Sequence, residues 1–149
     1  DAKVVHELMN NADIRIVSGG TTSQIVAREL GVEVKSSTEI YDKEVPPIAY
    51  IQGVDLVTEG VLTLSKTIDR LKSLSKSLDS DIFKAKDGAS QMAKLLYSAS
   101  HIKLLVGRSL NIANAESSFQ RDLELRLHVI GELEKILVKL GKIVTVEYY

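Results

Sequence analysis

The sequence predicts an α/β fold of layered helices and strands, on three observations. Short apolar runs of strand length alternate with longer stretches whose apolar residues recur every three or four positions. The runs "DIRIVSG", "VDLVTEG" and "HIKLLVG" each end at a glycine, with a Ser or Thr beside each turn. Helical patterns begin directly after the first two, the order that builds a parallel sheet. The predicted arrangement is Rossmann-like: a mostly parallel sheet of about four to six strands flanked by helices, in one domain over residues 1–149.

Taken in order, Val4, Val5, Leu8 and Met9 share one side of a short helix over residues 2–10, which fades at Asn10-Asn11. Ile14, Ile16 and Val17 make a short buried strand. "TTSQIVARELG" reads as a helix with Ile25, Val26 and Leu30 on its apolar face and Gly31 just past its end, where glycine readily takes the left-handed conformation. Residues 32–35, "VEVK", alternate as a second strand. Residues 36–47 hold both prolines and form a loop, because the residue before a proline is pushed out of the helical region. Residues 48–60 supply one or two strands, with "VDLV" the better buried. From Gly60 the period turns helical, with Val61, Leu64, Ile68, Leu71, Leu74 and Leu78 on one face. Residues 75–88 read as a solvated connection, "ASQMAKLLYSAS" as a helix and 101–107 as a strand. Residues 108–121 read as irregular. The longest helix spans 122–140, with Leu123, Leu127, Ile130, Leu133, Leu137 and Leu140 facing inward. Gly141 stops it, and "KIVTVEYY" closes the chain as a strand.

Composition narrows the function classes. The net charge is −1, so no basic field advertises nucleic acid or an anionic membrane surface. No apolar run approaches the ~20 residues of a membrane helix, and no secretory signal pattern is seen. Cysteine is absent, which removes thiol nucleophiles, thiolate metal sites and disulfides and agrees with a cytoplasmic protein. The three histidines, His6, His101 and His128, lack metal-ligand spacing. The first residue is Asp1, inside a helical pattern, which suggests a segment of a longer protein.

The strand-end turns carry the chemistry. Ligands of open α/β sheets bind beyond the carboxyl ends of strands, where helix N-termini favour anions. Ser18, Gly19, Gly20, Thr21, Thr22 and Ser23 offer glycines for close backbone approach and hydroxyls as donors, a cradle for phosphate or carboxylate. The same residues suit a tight turn with hydroxyl caps, and both readings stand. Neither a P-loop nor a GxGxxG fingerprint is present. Thr58, Glu59 and Gly60 occupy the corresponding place after "VDLV"; here Thr58 caps the next helix and Glu59 complements its dipole, or Glu59 binds a hydroxyl, an amine or a bridging metal. Asp55 either faces solvent at the sheet margin or acts at the site. Gly107 and Arg108 form the third turn, where Arg108 offers a cation, with Ser109, Asn111 and Asn114 following in the same loop. Arg121, Glu124 and Arg126 read as an ion-pair network or a solvated face.

Several stretches together resemble one family. "SGGTTSQIVARELG", "VPPIAYIQGVDLVTEGVLTLSKTIDRL" and "DGASQMAKLLYSASHIKLLVGRSLN", with "ELRLHVI" further on, resemble the C-terminal extension of bacterial SpoIIE-like protein phosphatases, which are PP2C-type Ser/Thr phosphatases. "GGTT…VAREL" and "GxDLVTEGxLTLSK" are the most specific parts. The resemblance implies a parent hydrolase whose acidic residues hold paired Mn²⁺ or Mg²⁺ ions. The chain's one Asp-Gly, Asp87-Gly88, falls in the polar connection, and the terminal Gly-Asp-Asp of the family is absent. No metal ligand carries over, and the metals are expected only in a catalytic domain outside this chain.

The function expected is therefore a non-catalytic regulatory domain of such a phosphatase, recognising a small anionic ligand at the glycine turns. The alternatives are a docking domain that packs on the catalytic domain or forms a homodimer, and a stand-alone enzyme acting on phosphosugars or nucleotides.

Overall fold

The computed structural model describes residues 1–78, 80–108 and 117–149, and the side chains of all of these but 117–119. The elements run α1 (Ala2–Asn10), β1 (Ile16–Ser18), α2 (Gly20–Leu30), β2 (Lys35–Ser36), β3 (Ala49–Tyr50), β4 (Leu56–Thr58), α3 (Val61–Lys76), α4 (Ser80–Lys84), α5 (Gly88–Ser98), β5 (His101–Val106), α6 (Ser117–Lys139) and β6 (Ile143–Tyr148). The α/β class holds.

The sheet differs from the expected one. The strands form two small sheets, one of order β1-β4-β3-β2 and one pairing β5 with β6. Among the described residues only β1–β4 and β5–β6 are parallel; β4–β3 and β3–β2 are antiparallel. The cause is connection length. A parallel neighbour needs a crossover of a dozen or more residues, usually a helix. Residues 51–55 between β3 and β4 are too few, and the helix-free loop 37–48 returns the chain beside β2. Between β1 and β4, and between β5 and β6, a helix intervenes, and those pairs are parallel.

Alternation along β1 and β4 builds three layers. Val17 and Val57 face α1 and α2 in a cluster with Val5, Val26, Ala27 and Ile51. Ile16 and Leu56 face the other way, into the larger core of α3, α5 and α6, where Leu71 and Leu137 are fully buried. Parallel strands covered on both faces are the usual arrangement. Lys103 of β5 reaches Glu7 of α1 at 2.8 Å and Glu147 of β6 at 3.3 Å, joining the second sheet to the first helix.

The punctuation follows the chemistry. Gly31 (φ 68°) closes α2 as Val32 donates its N–H to Ala27 O, 3.0 Å, and Gly141 (φ 85°) closes α6 as Lys142 donates to Leu137 O, 3.0 Å. Val32's commitment to that closure delays pairing, so the expected strand over 32–35 becomes a bridge at Lys35–Ser36, while Val32 and Val34 still pack on the smaller cluster. Ile14, expected in the first strand, is exposed ahead of it. Leu78, expected on the apolar face of α3, is 73% exposed because the helix ends two residues earlier. The connection 75–88 carries the last residues of α3 and the short α4. Residues 117–121, expected to be irregular, belong to α6, which therefore starts five residues before the expected 122. Residues 109–116, including Ser109, Asn111 and Asn114, lie outside the described residues. No helix among the described residues is long and apolar enough to cross a membrane.

Candidate functional site: two glycine turns in contact

β1 and β4 are neighbours in register, Ser18 opposite Thr58, so both strands end at the same level of the sheet. Each leads through one or two residues into a helix. The turns that follow are tied together: Gly19 donates its N–H to Thr58 O at 3.0 Å, and Ser18 Oγ donates to Glu59 O at 3.0 Å. The Thr58 hydroxyl, buried, lies 3.2 Å from both Ser18 Oγ and Glu59 O. A Cβ on Gly60 would stand 3.7 Å from Gly19 Cα, an ordinary van der Waals distance, so the two turns lie side by side. Gly19 takes φ 108° and ψ 140°, a conformation reserved for glycine.

The structure thus brings Ser18, Gly19, Gly20, Thr21, Thr22, Ser23, Thr58, Glu59 and Gly60 to one edge, and it sorts their roles. The expected hydroxyl caps are not made: the N-caps of α2 and α3 are Gly19 and Gly60, and neither helix has a side-chain cap. Ser18 and Thr58 spend their hydroxyls between the turns. Ser23 is buried and donates back to Gly19 O at 2.6 Å. Thr21 and Thr22 remain exposed, beside the exposed backbone of Gly20 at the open end of α2. The α3 end is different, because the Glu59 carboxylate folds back onto Gly60 N–H at 2.7 Å. The Glu59 carboxylate thus lies at the N-terminal end of α3, and no such carboxylate stands at the end of α2 among the described residues.

Other expected residues fall elsewhere. Gly107 and Arg108 follow β5 in the second sheet. Arg108 donates its N–H to Tyr149 O at 2.8 Å, and its guanidinium lies 4.9 Å from the Tyr148 ring centre, a cation–π contact. Asp55 is exposed and clips two strands: its N–H donates to Arg15 O at 2.9 Å, and its Oδ2 accepts from Arg15 N–H at 2.8 Å. Among the described residues, no group of three or more His, Asp and Glu side chains is placed to hold a metal ion.

A polar cluster that the sequence reading missed lies away from the turns. Arg70 of α3 faces Asp87 at 3.3 Å and Asp42 at 3.0 Å, and its Nε donates to Ser90 Oγ at 2.8 Å. Asp87 is 6% exposed and accepts the Ser90 N–H at 3.0 Å as N-cap of α5. The cap was legible in "DGAS", a cap residue ahead of an apolar-periodic stretch. The partners Asp42 and Arg70 were not, since their distance along the chain carries no pattern. An open depression of about 420 Å³ adjoins the cluster.

No family model, no curated protein and no solved structure matches the chain.

Proposed function

We propose that this chain is a non-catalytic regulatory domain that recognises a small anionic ligand at the paired glycine turns. The observation that carries the reading is the tie of the two glycine turns at the ends of two adjacent parallel strands, Gly19 N–H to Thr58 O at 3.0 Å, with the α2 N-terminus open beside it. Backbone N–H groups at Gly20–Thr22 receive the anion, and the hydroxyls of Thr21 and Thr22 assist. Glu59, next to the anion, takes a hydroxyl or amine of the same ligand. Ser18, Thr58 and Ser23 shape the cradle rather than touch the ligand. In the Rossmann-like view, this edge corresponds to the ligand crevice of open α/β sheets. The resemblance to the extension of SpoIIE-like phosphatases supplies the context, a domain that reports ligand binding to a metal-dependent catalytic domain.

A thermal-shift screen with phosphate, nucleotides and sugar phosphates tests this. A ligand at 100 times its Kd stabilises by about 2.7 kcal/mol, a shift of several degrees for a domain of this size. Gly20→Val removes the shift while keeping the helices, since a Cβ at Gly20 meets nothing within 4 Å. A shift that survives Gly20→Val rejects the site.

A docking or dimerisation role has one observation in its favour: Leu62 on α3 and Leu125 and Val138 on α6 are about half exposed. Light scattering at rising concentration decides it, a mass that stays at one chain being the contrary result.

A further inference from the structure

The two carboxylates on Arg70 are not equivalent. Asp87 is buried, caps α5 and belongs to the core. Asp42 sits on the loop 37–48, where only Val45 and Ile48 are buried, and Ile40 and Tyr41 beside it are exposed. The Asp42 side chain is 36% exposed against 18% for Arg70, so the acid is the outer, exchangeable member of the pair. The depression of about 420 Å³ opens between Tyr41 and Asp42 on one side and residues 81–87 on the other. Lys84 and Lys86 stand on its lining with Asp81, and the two ammonium groups enter no ion pair among the described residues.

We propose that this depression is a second ligand site, for a phosphate group, and that Asp42 fills it in the free protein. The Asp42 carboxylate stands on Nη2 of Arg70 where the incoming phosphate docks. Exchange of one anion for another leaves the half-buried guanidinium compensated throughout, which avoids orphaning a charge. Lys84 and Lys86 meet the additional charge of a phosphate, which a carboxylate does not bring. Asp42 competes as a tethered group, so an incoming phosphate has to displace it. Displacement of Asp42 releases the loop, whose other surface tie is Glu44 to Lys66 at 3.0 Å. Arg70 then keeps Asp87 and Ser90, so α3 and α5 stay joined while the loop moves.

The test is a titration of the whole chain with inorganic phosphate, followed by NMR at Arg70 Nε–H and the Ser90 amide. The amides of residues 20–22 report separately on the glycine turns. Asp42→Asn removes the competing charge and keeps the Oδ1 that accepts the Glu44 N–H. The expected result is phosphate affinity at Arg70 about two- to fivefold tighter in Asp42→Asn than in the wild type, the weight of an outer ion pair. Acetate is expected to bind more weakly than phosphate. Equal affinity in the two proteins, no response at Arg70 Nε–H, or acetate binding as tightly as phosphate each overturns the proposal. A second measurement needs no variant: in the wild type, phosphate accelerates hydrogen exchange at Val45, whose N–H donates to Asp42 O at 3.1 Å. Unchanged exchange with phosphate bound at Arg70 also overturns it.

Discussion

Gly19 and Gly60 lie side by side at the ends of the parallel strands β1 and β4, with 3.7 Å from Gly19 Cα to the position a Gly60 Cβ would take. Gly19 holds this approach in a positive-φ conformation, whereas its neighbour Gly20 is already helical and surrounded by open space. Gly19→Ala is therefore expected to lower stability by about 1–3 kcal/mol. Gly20→Ala should raise it by about 0.4–1 kcal/mol, through a less flexible unfolded chain. Urea denaturation of the two variants checks the opposite signs.

Asp87 and Asp42 share one guanidinium yet should differ in cost. Asp87→Ala removes a cap worth about 1 kcal/mol and the inner partner of Arg70, for a total of about 2–4 kcal/mol. Asp42→Ala removes an outer ion pair, and the expected loss is about 0–1 kcal/mol. Chemical denaturation measures both. Similar losses would mean that the loop 37–48 is as integral to the core as α5.

Thr63, in the first turn of α3, is fully buried, and its Oγ1 has no hydrogen-bond partner among the described residues. A buried hydroxyl without a partner carries its desolvation cost uncompensated. Thr63→Val keeps the shape and removes the polar atom, so stability should rise by about 1 kcal/mol. A thermal midpoint that falls would show that the hydroxyl is used.

The Lys103–Glu7 contact makes the attachment of α1 depend on pH. The hydrogen bond from Lys103 holds the Glu7 carboxyl below its ordinary value, and the bond to Glu7 holds Lys103 above its own. The carboxylate's contribution is complete above the unfolded value of about 4.3 and is lost as pH falls through the lower folded value. The ammonium's contribution is complete below about 10.4 and is lost as pH rises through the higher folded value. The contact therefore spans neutral pH and weakens at both extremes. NMR titration of Glu7 should show its midpoint rising in Lys103→Met, and an unmoved midpoint would contradict the pairing.

How much of this was legible depends on whether the signal is local. The helix ends at Gly31 and Gly141 were readable because each uses residues a few positions apart. The strand-end turns at Ser18–Ser23 and Thr58–Gly60 were also readable, and the parallel pairing of β1 with β4 brings them together. Strand direction was not, because it turns on whether a helix fits between two strands, and residues 48–55 look alike in either case. The hydroxyl roles were hidden for a similar reason: Ser18 and Thr58 bond across the turns rather than along their own helices. Arg70 gave no sign at all, since its partners come together only when α3, α5 and the proline loop pack.

The most direct measurement is an amide-resolved NMR titration of the chain with inorganic phosphate and a sugar phosphate. Saturable shifts are expected at Gly20, Thr21 and Thr22, lost in Gly20→Val while the fold is retained. An intact spectrum in which these three amides do not respond to any phosphate would contradict the proposed site.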